Sequence, residues 1–151
     1  MYFLSLLGVI FTTWLISFFA DGRWDRMVDF MSLVVLLLLV IPILISSGLH
    51  KDFSNAFRFS IGKKKPDKLL ELKRAREAVN LVILTIIAAS VFIAMVQMIQ
   101  ILYTLDNLPS LGPNIAVMLV SIMYGMCFVL LLLPIQSKLN VRIQEFISGQ
   151  E

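Results

Sequence analysis

The residues of this chain that could do chemistry are uncharged polar side chains inside long apolar stretches. At helical spacing they fall on two faces: Ser90, Ala94, Gln97, Ile101 and Thr104 in one stretch, and Asn114, Met118, Ser121 and Gly125 in the next. Hydroxyl and amide groups in a membrane bond across helices or replace part of an ion's hydration shell. Two interpretations are open. The two faces line a central opening or contact another helix, or they are ordinary small-residue packing within one chain.

Carboxylate, histidine and basic side chains are absent from the four apolar stretches of the sequence. Residues 2–20, 31–49, 79–103 and 115–135 contain no Asp, Glu, Lys, Arg or His. Proton and ion relays across membranes depend on intramembrane carboxylates or bases. The chain therefore has no proton relay of its own in these stretches, and if it conducts, a second polypeptide supplies the titrating group.

Enzyme chemistry is not indicated by the remaining residues. The chain has one histidine, His50, at the edge of an apolar stretch, and one cysteine, Cys127, inside another. A lone histidine there is expected to be a solvated side chain, and one cysteine forms no disulfide or cysteine metal site within the chain. No Ser/His/Asp set or phosphate-binding glycine loop is visible, so we expect no catalytic residue, no metal and no cofactor.

The lengths of the apolar stretches predict an all-α, polytopic membrane protein with four transmembrane helices. Of the 151 residues, 59% are hydrophobic and 15% are charged, whereas a soluble domain usually has about 25% charged residues. Each stretch is long enough to cross about 30 Å of hydrocarbon at 1.5 Å per residue. The first lacks a basic leader and a small-x-small cleavage site, so we expect a retained helix and not a signal peptide.

The distribution of Lys and Arg predicts the topology. Segment 50–78 contains nine of the 13 Lys and Arg residues, whereas 21–29 has three Asp and two Arg, and 104–114 has only Asp106. Positively charged loops stay in the cytoplasm, so segment 50–78 and both termini are expected there, with the two short loops outside. Topology also explains the net charge of +3, so we expect lipid and not nucleic acid as the partner.

The third and fourth helices are expected to extend into the cytoplasm. Residues 67–104 contain no helix breaker and predict one helix of about 57 Å. The fourth helix is expected to continue past Pro134 as a cytoplasmic helix over 136–148. Its apolar stripe is formed by Ile135, Leu139, Ile143 and Phe146.

A short amphipathic helix is predicted in the cytoplasmic segment, ahead of the third span. Phe53, Phe57 and Ile61 recur every four residues, which is typical of a helix that lies against the membrane surface. Gly62 is expected to end this helix. The membrane domain would thus form one unit over residues 1–151.

Six short groups of residues at the third and fourth spans occur in a characteristic order: Leu105-Asp106-Asn107, Leu111-Gly112-Pro113, Ala116-Val117, Tyr124-Gly125, Leu133-Pro134-Ile135 and Lys138-Leu139. In this order and spacing they resemble the flagellar stator A subunits of the MotA/TolQ/ExbB proton-channel superfamily. Residues 29–35 also look like the start of the second span in that family.

The resemblance implies an A-type subunit of the bacterial inner membrane that forms a ring of five. Two copies of a B subunit, similar to MotB, ExbD or TolR, would pass through the ring, each with one membrane helix and a titratable Asp. Protonation cycles of that Asp would drive rotation of the ring. Ser90, Ala94, Gln97 and Ser121 would then line the partner-facing path, with Tyr124 and Gly125 shaping close packing.

The sequence departs from the family at several points, and these leave a second hypothesis open. Ala94 takes the place of a threonine that faces the ion path, and Ser121 and Ile122 replace a pair of threonines. Segment 50–78 is also much shorter than the rotor-pushing domain of flagellar members. The alternative is a non-conducting scaffold or assembly protein of the same architecture. An unrelated four-helix membrane protein is the third possibility.

Overall fold

The computed structural model describes residues 7, 8, 10–12, 14, 30–61, 68–103 and 108–148. Besides the helical residues between 7 and 14, this part of the chain forms α1 (Phe30–Ser46), α2 (His50–Ile61), α3 (Leu69–Tyr103) and α4 (Leu108–Ser148). It contains no strand, as the all-α prediction requires.

Two of the described helices are long and apolar enough to cross a membrane, Leu69–Tyr103 and Pro109–Ser148. The 17-residue helix α1 measures about 26 Å and joins α2 at a bend of 101°, so the bent pair provides at most a third span. The second predicted span, 31–49, is helical only as far as Ser46. The first, 2–20, lies mostly outside the described residues, so four spans stay a prediction.

The third and fourth helices are continuous, as the sequence predicts. Helix α3 has 35 residues and is about 52 Å long, while the predicted terminal residues 67 and 104 lie outside the described residues. Helix α4 has 41 residues and is about 62 Å long, and it includes both Pro113 and Pro134. The prediction that the fourth helix continues past Pro134 is therefore confirmed.

Helices α3 and α4 form an antiparallel pair. The Ser121 hydroxyl donates to Gln97 Oε1 at 3.1 Å, and Gln136 Nε2 donates to Asn80 Oδ1 at 3.2 Å. Residue numbers thus rise along α4 as those of their partners fall along α3. We call the end of the pair next to residues 104–107 the loop end, and the opposite end, which begins at Leu69, the charged end.

The main apolar core lies toward the charged end, where all four helices meet. Ile135, Leu139 and Ile143 are buried and Phe146 packs on the same cluster, which confirms the predicted stripe of α4. The other buried members come from α1, α2, α3 and α4: Val40, Ala56, Phe59, Leu72, Ala75, Val79, Val82, Ile83, Ile86 and Leu132. Burial of these side chains between the helices fixes α2 against α3 and α4.

The predicted amphipathic helix is present as α2. Its most deeply buried residues are not those predicted from the repeat of Phe53, Phe57 and Ile61. Phe59 is 1% exposed and Ala56 is fully buried, whereas Ile61 is 57% exposed. Phe53 and Phe57 pack edge-on with ring centroids 5.2 Å apart and lie at the margin of the core. The predicted helix end at Gly62 lies outside the described residues.

The sharp turn between α1 and α2 depends on Gly48. Its φ is +70°, a left-handed conformation that residues with a Cβ adopt at a steric cost. The Gly48 amide donates to the Ile45 carbonyl at 3.0 Å, and the Ser47 hydroxyl donates to the Leu44 carbonyl at 2.8 Å. These bonds close the last turn of α1 before the chain changes direction.

Gly48→Ala is expected to destabilise the protein by about 1 kcal/mol, because alanine is strained at positive φ. Thermal unfolding in detergent, followed by circular dichroism, measures the effect. Gly112→Ala is the matched control, since a Cβ at Gly112 meets nothing within 4 Å and its helical backbone suits alanine. Equal melting temperatures for the two variants would contradict the role given to Gly48.

Candidate functional site

Helices α3 and α4 approach each other closely at Ser90 and Gly125. A Cβ added to Gly125 would lie 2.5 Å from the Ser90 Cβ and 2.6 Å from its Oγ. The Ser90 hydroxyl donates to the Ile87 carbonyl of its own helix at 3.0 Å. Small residues bring helix backbones close together in membranes, and this contact has that form.

One helical turn of α4 from Gly125 toward the loop end, two buried hydroxyl groups and a half-buried amide group join three helices. The hydroxyl oxygens of Ser32 in α1 and Ser121 in α4 lie 2.9 Å apart, and Ser121 donates to Gln97 Oε1 of α3 at 3.1 Å. Ser121 is 2% exposed and Ser32 is 4% exposed. Since a hydroxyl has one proton, a consistent arrangement has Ser32 donating to Ser121 and Ser121 donating to Gln97.

A polar groove continues from this cluster to the loop end. It has a volume of about 280 Å³ and is lined by Gln97, Gln100, Ile101, Asn114 and Val117. Gln100 and Asn114 are exposed, while Gln97 is half-buried and links the groove to Ser121. We call the groove and the Gln97–Ser121–Ser32 cluster together the polar seam.

The structure brings the two predicted polar faces together. Ser90, Ala94, Ser121 and Gly125 are buried between helices of the same chain, and Tyr124 packs partly buried beside Leu36, Ala89 and Ile93. Within this single chain, packing accounts for those four buried positions. Of the two predicted polar faces, Gln97, Ile101 and Asn114 line the open groove.

The motif residues Leu111, Gly112, Pro113 and Pro134 lie in α4, whereas the matching residues 105–107 lie outside the described residues. Leu111 is half-buried in its first turns, and Gly112 and Pro113 are exposed there, close to the position of Asn114 in the groove. Pro134 lies far along the helix, next to the buried Ile135. The motif thus marks the two parts of α4 that flank the Gly125 contact.

Two polar side chains of the polar seam, Ser32 and Gln100, were not on the predicted polar faces. Ser32 belongs to the segment that resembles the start of the family's second span, and its contact with Ser121 depends on how α1 packs. Gln100 lies three residues after Gln97, so helical spacing alone would have placed it on a neighbouring part of the same face.

The seam contains hydroxyl and carboxamide groups and no acid or base. Such groups bind a polar side chain or a partly dehydrated ion, but they do not take up protons near neutral pH. No group of three His, Cys, Asp or Glu residues that could hold a metal ion occurs in the described ranges. Comparison with known protein families, with curated proteins and with solved structures finds no match for this chain.

Gly125→Ala is expected to destabilise the protein by about 1–3 kcal/mol, because the added methyl group overlaps Ser90 and forces α3 and α4 apart. Thermal unfolding in detergent measures the effect, again with Gly112→Ala as the control in the same helix. The double variant Gly125→Ala with Ser90→Gly, which removes the opposing Cβ, should recover part of the loss. Absence of any recovery would show that the Ser90 contact is not the cause.

Proposed function

We propose that this chain is an A-type subunit of an ion-gradient-driven rotary membrane motor. Copies of the chain would form a ring around a dimer of a single-span B subunit that carries a titratable Asp. The observation that supports this proposal best is the polar seam, which offers hydrogen bonds inside an apolar helix pair and contains no titratable group of its own. The order of the motif residues in α4 agrees with it.

The groove has the chemistry that a partner carboxyl group requires. The carboxamides of Gln97, Gln100 and Asn114 donate to a carboxylate through their NH2 groups and accept from a protonated carboxyl through their oxygens. An Asp on a partner helix would therefore find hydrogen bonds in both of its protonation states. A fixed positive charge at this place would instead favour only the ionised form.

The remaining surface of the helix pair suits a ring in a lipid bilayer. Phe92, Met95, Leu119 and Met126 are more than half exposed on α3 and α4, which is a surface for lipid or for neighbouring copies. In this proposal the bilayer is the bacterial inner membrane, and both termini and segment 50–78 are cytoplasmic. The positive charge of that segment supports the orientation.

The chain, tagged and purified from its native membranes, is expected to retain a single-span protein with an Asp in its membrane helix. Native mass spectrometry should then count five copies of the chain and two of the partner. Gln100→Leu combined with Asn114→Leu should reduce partner retention, since both amides line the groove, whereas the exposed Met98→Leu should not. A monomer, or a dimer that retains no such partner, would refute the proposal.

A non-conducting scaffold of the same architecture is the second candidate, and one observation favours it. Ser121 supplies the hydroxyl on the predicted ion path in α4, yet it is buried and bonded to Ser32 and Gln97 within the chain. A hydroxyl held in this way has little capacity left to replace water around an ion. Such a scaffold would keep the ring and the partner without transporting ions.

Ion flux into proteoliposomes that contain the chain and its partner separates the two candidates. A motor is expected to admit protons or sodium ions, followed with dyes for each ion, and Ser121→Ala should reduce the flux because the hydroxyl is lost. Cys127→Ala, on the same helix and outside the seam, is the control. Zero flux with the assembly intact by native mass spectrometry would favour the scaffold.

A further inference from the structure

A second cavity lies at the opposite end of α1 from the polar seam, where α1 turns into α2. Its volume is about 360 Å³, within the range of small-molecule pockets, and all four helices contribute to its wall. Every lining side chain is apolar, and Ile41, Phe53, Phe57 and Phe128 are among them. We call this cavity the elbow pocket.

The elbow pocket opens on the outer side of α1. Leu37 and Ile41 line it and remain 38% and 49% exposed, while Val40 between them is buried against the core. Because its wall offers no hydrogen-bonding side chain, a polar ligand would lose its bonds to water on entering. The pocket therefore suits a hydrocarbon chain.

The charges on α2 indicate what the hydrocarbon chain is attached to. Asp52 is half-buried and pairs with Arg74 of α3 at 3.1 Å. Lys51 and Arg58 are exposed and have no ion-pair partner among the described residues. They lie seven residues apart, so at 100° per residue they share one face of the helix. That face lies on the exposed side of α2, turned away from Phe53 and Phe57, and no described residue pairs with its two positive charges.

The angle between α1 and α2 would place the elbow pocket and the two cations of α2 at different depths in a bilayer. If α1 crosses the membrane, the 101° bend sets α2 close to the membrane plane, with Phe53 and Phe57 at the pocket and the cations on the exposed face. Lys and Arg side chains at such a helix extend to the level of the lipid headgroups. A phosphate attracted there would have its acyl chains next to the elbow pocket.

We propose that the elbow pocket binds an acyl chain of an anionic phospholipid from the surrounding leaflet, with Lys51 and Arg58 attracting its phosphate group. This site differs from the polar seam in position and chemistry, and it does not depend on the motor proposal. We favour a lipid over a helix of another protein because the wall is wholly apolar and the exposed face of α2 carries two cations that no described residue pairs with.

The test uses the full chain reconstituted in nanodiscs of phosphatidylcholine and phosphatidylglycerol at three to one. After gentle transfer to detergent, native mass spectrometry counts the lipids that each protein retains. The unmodified chain should retain phosphatidylglycerol in preference to phosphatidylcholine. The double variant Lys51→Gln with Arg58→Gln should lower phosphatidylglycerol retention about fivefold for each cation removed. Lys73→Gln with Arg76→Gln, two exposed cations of α3, is the control and should have no such effect.

A second variant tests the pocket itself. Ile41→Trp fills the pocket mouth and should reduce retention of both lipids, whereas Leu38→Trp, exposed on the same helix and outside the pocket, should not. Equal retention of the two lipids, or equal losses in the two charge variants, would overturn the proposal. So would a folded chain that retains no phospholipid.

Discussion

The close approach of α3 and α4 at Ser90 and Gly125 is the contact on which the packing of these two helices depends. With no room for a Cβ at Gly125, the two backbones lie near each other, and residues on either side meet in antiparallel register. Toward the loop end this register brings Gln97 to Ser121. Toward the charged end it aligns the apolar stripe of α4 with α3. In lipid, where apolar residues gain little from leaving the solvent, such packing is a main source of helix association.

The polar groups of the seam fall into two classes with different consequences. Ser32 and Ser121 are buried and bonded to each other, so they join α1 to the α3–α4 pair and contribute to the stability of the bundle. Gln100 and Asn114 line an open groove, so they are accessible to a partner. Gln97 belongs to both classes. A partner that binds the groove would therefore contact the same amide that orients the buried hydroxyls.

Helix periodicity predicted much of the fold from the sequence, because each helix carries its own pattern. The continuity of α3, the passage of α4 through Pro134 and the burial of Ile135 and Leu139 all followed from local spacing. The burial of Phe59 did not, because it depends on which side of α2 meets α3 and α4. For the candidate site, spacing identified two polar faces, one with Gln97 on α3 and one with Ser121 on α4. Whether these faces meet each other or a helix of a partner depends on packing, which no single helix encodes.

The polar seam and the elbow pocket lie toward opposite ends of α1, and this separation has a physical reason. Near the loop end the described parts of the helices lack charged residues, and the polar side chains there bond to each other. Near the charged end, Lys51 and Arg58 are exposed on α2 and the wall of the elbow pocket is apolar, which is the arrangement that the lipid proposal requires. Helix α1 contacts both regions, through Ser32 at one end and Ile41 toward the other. A lipid bound in the elbow pocket would therefore contact α1, the same helix whose Ser32 bonds to Ser121. Lipid binding would in this way act on the tilt of α1.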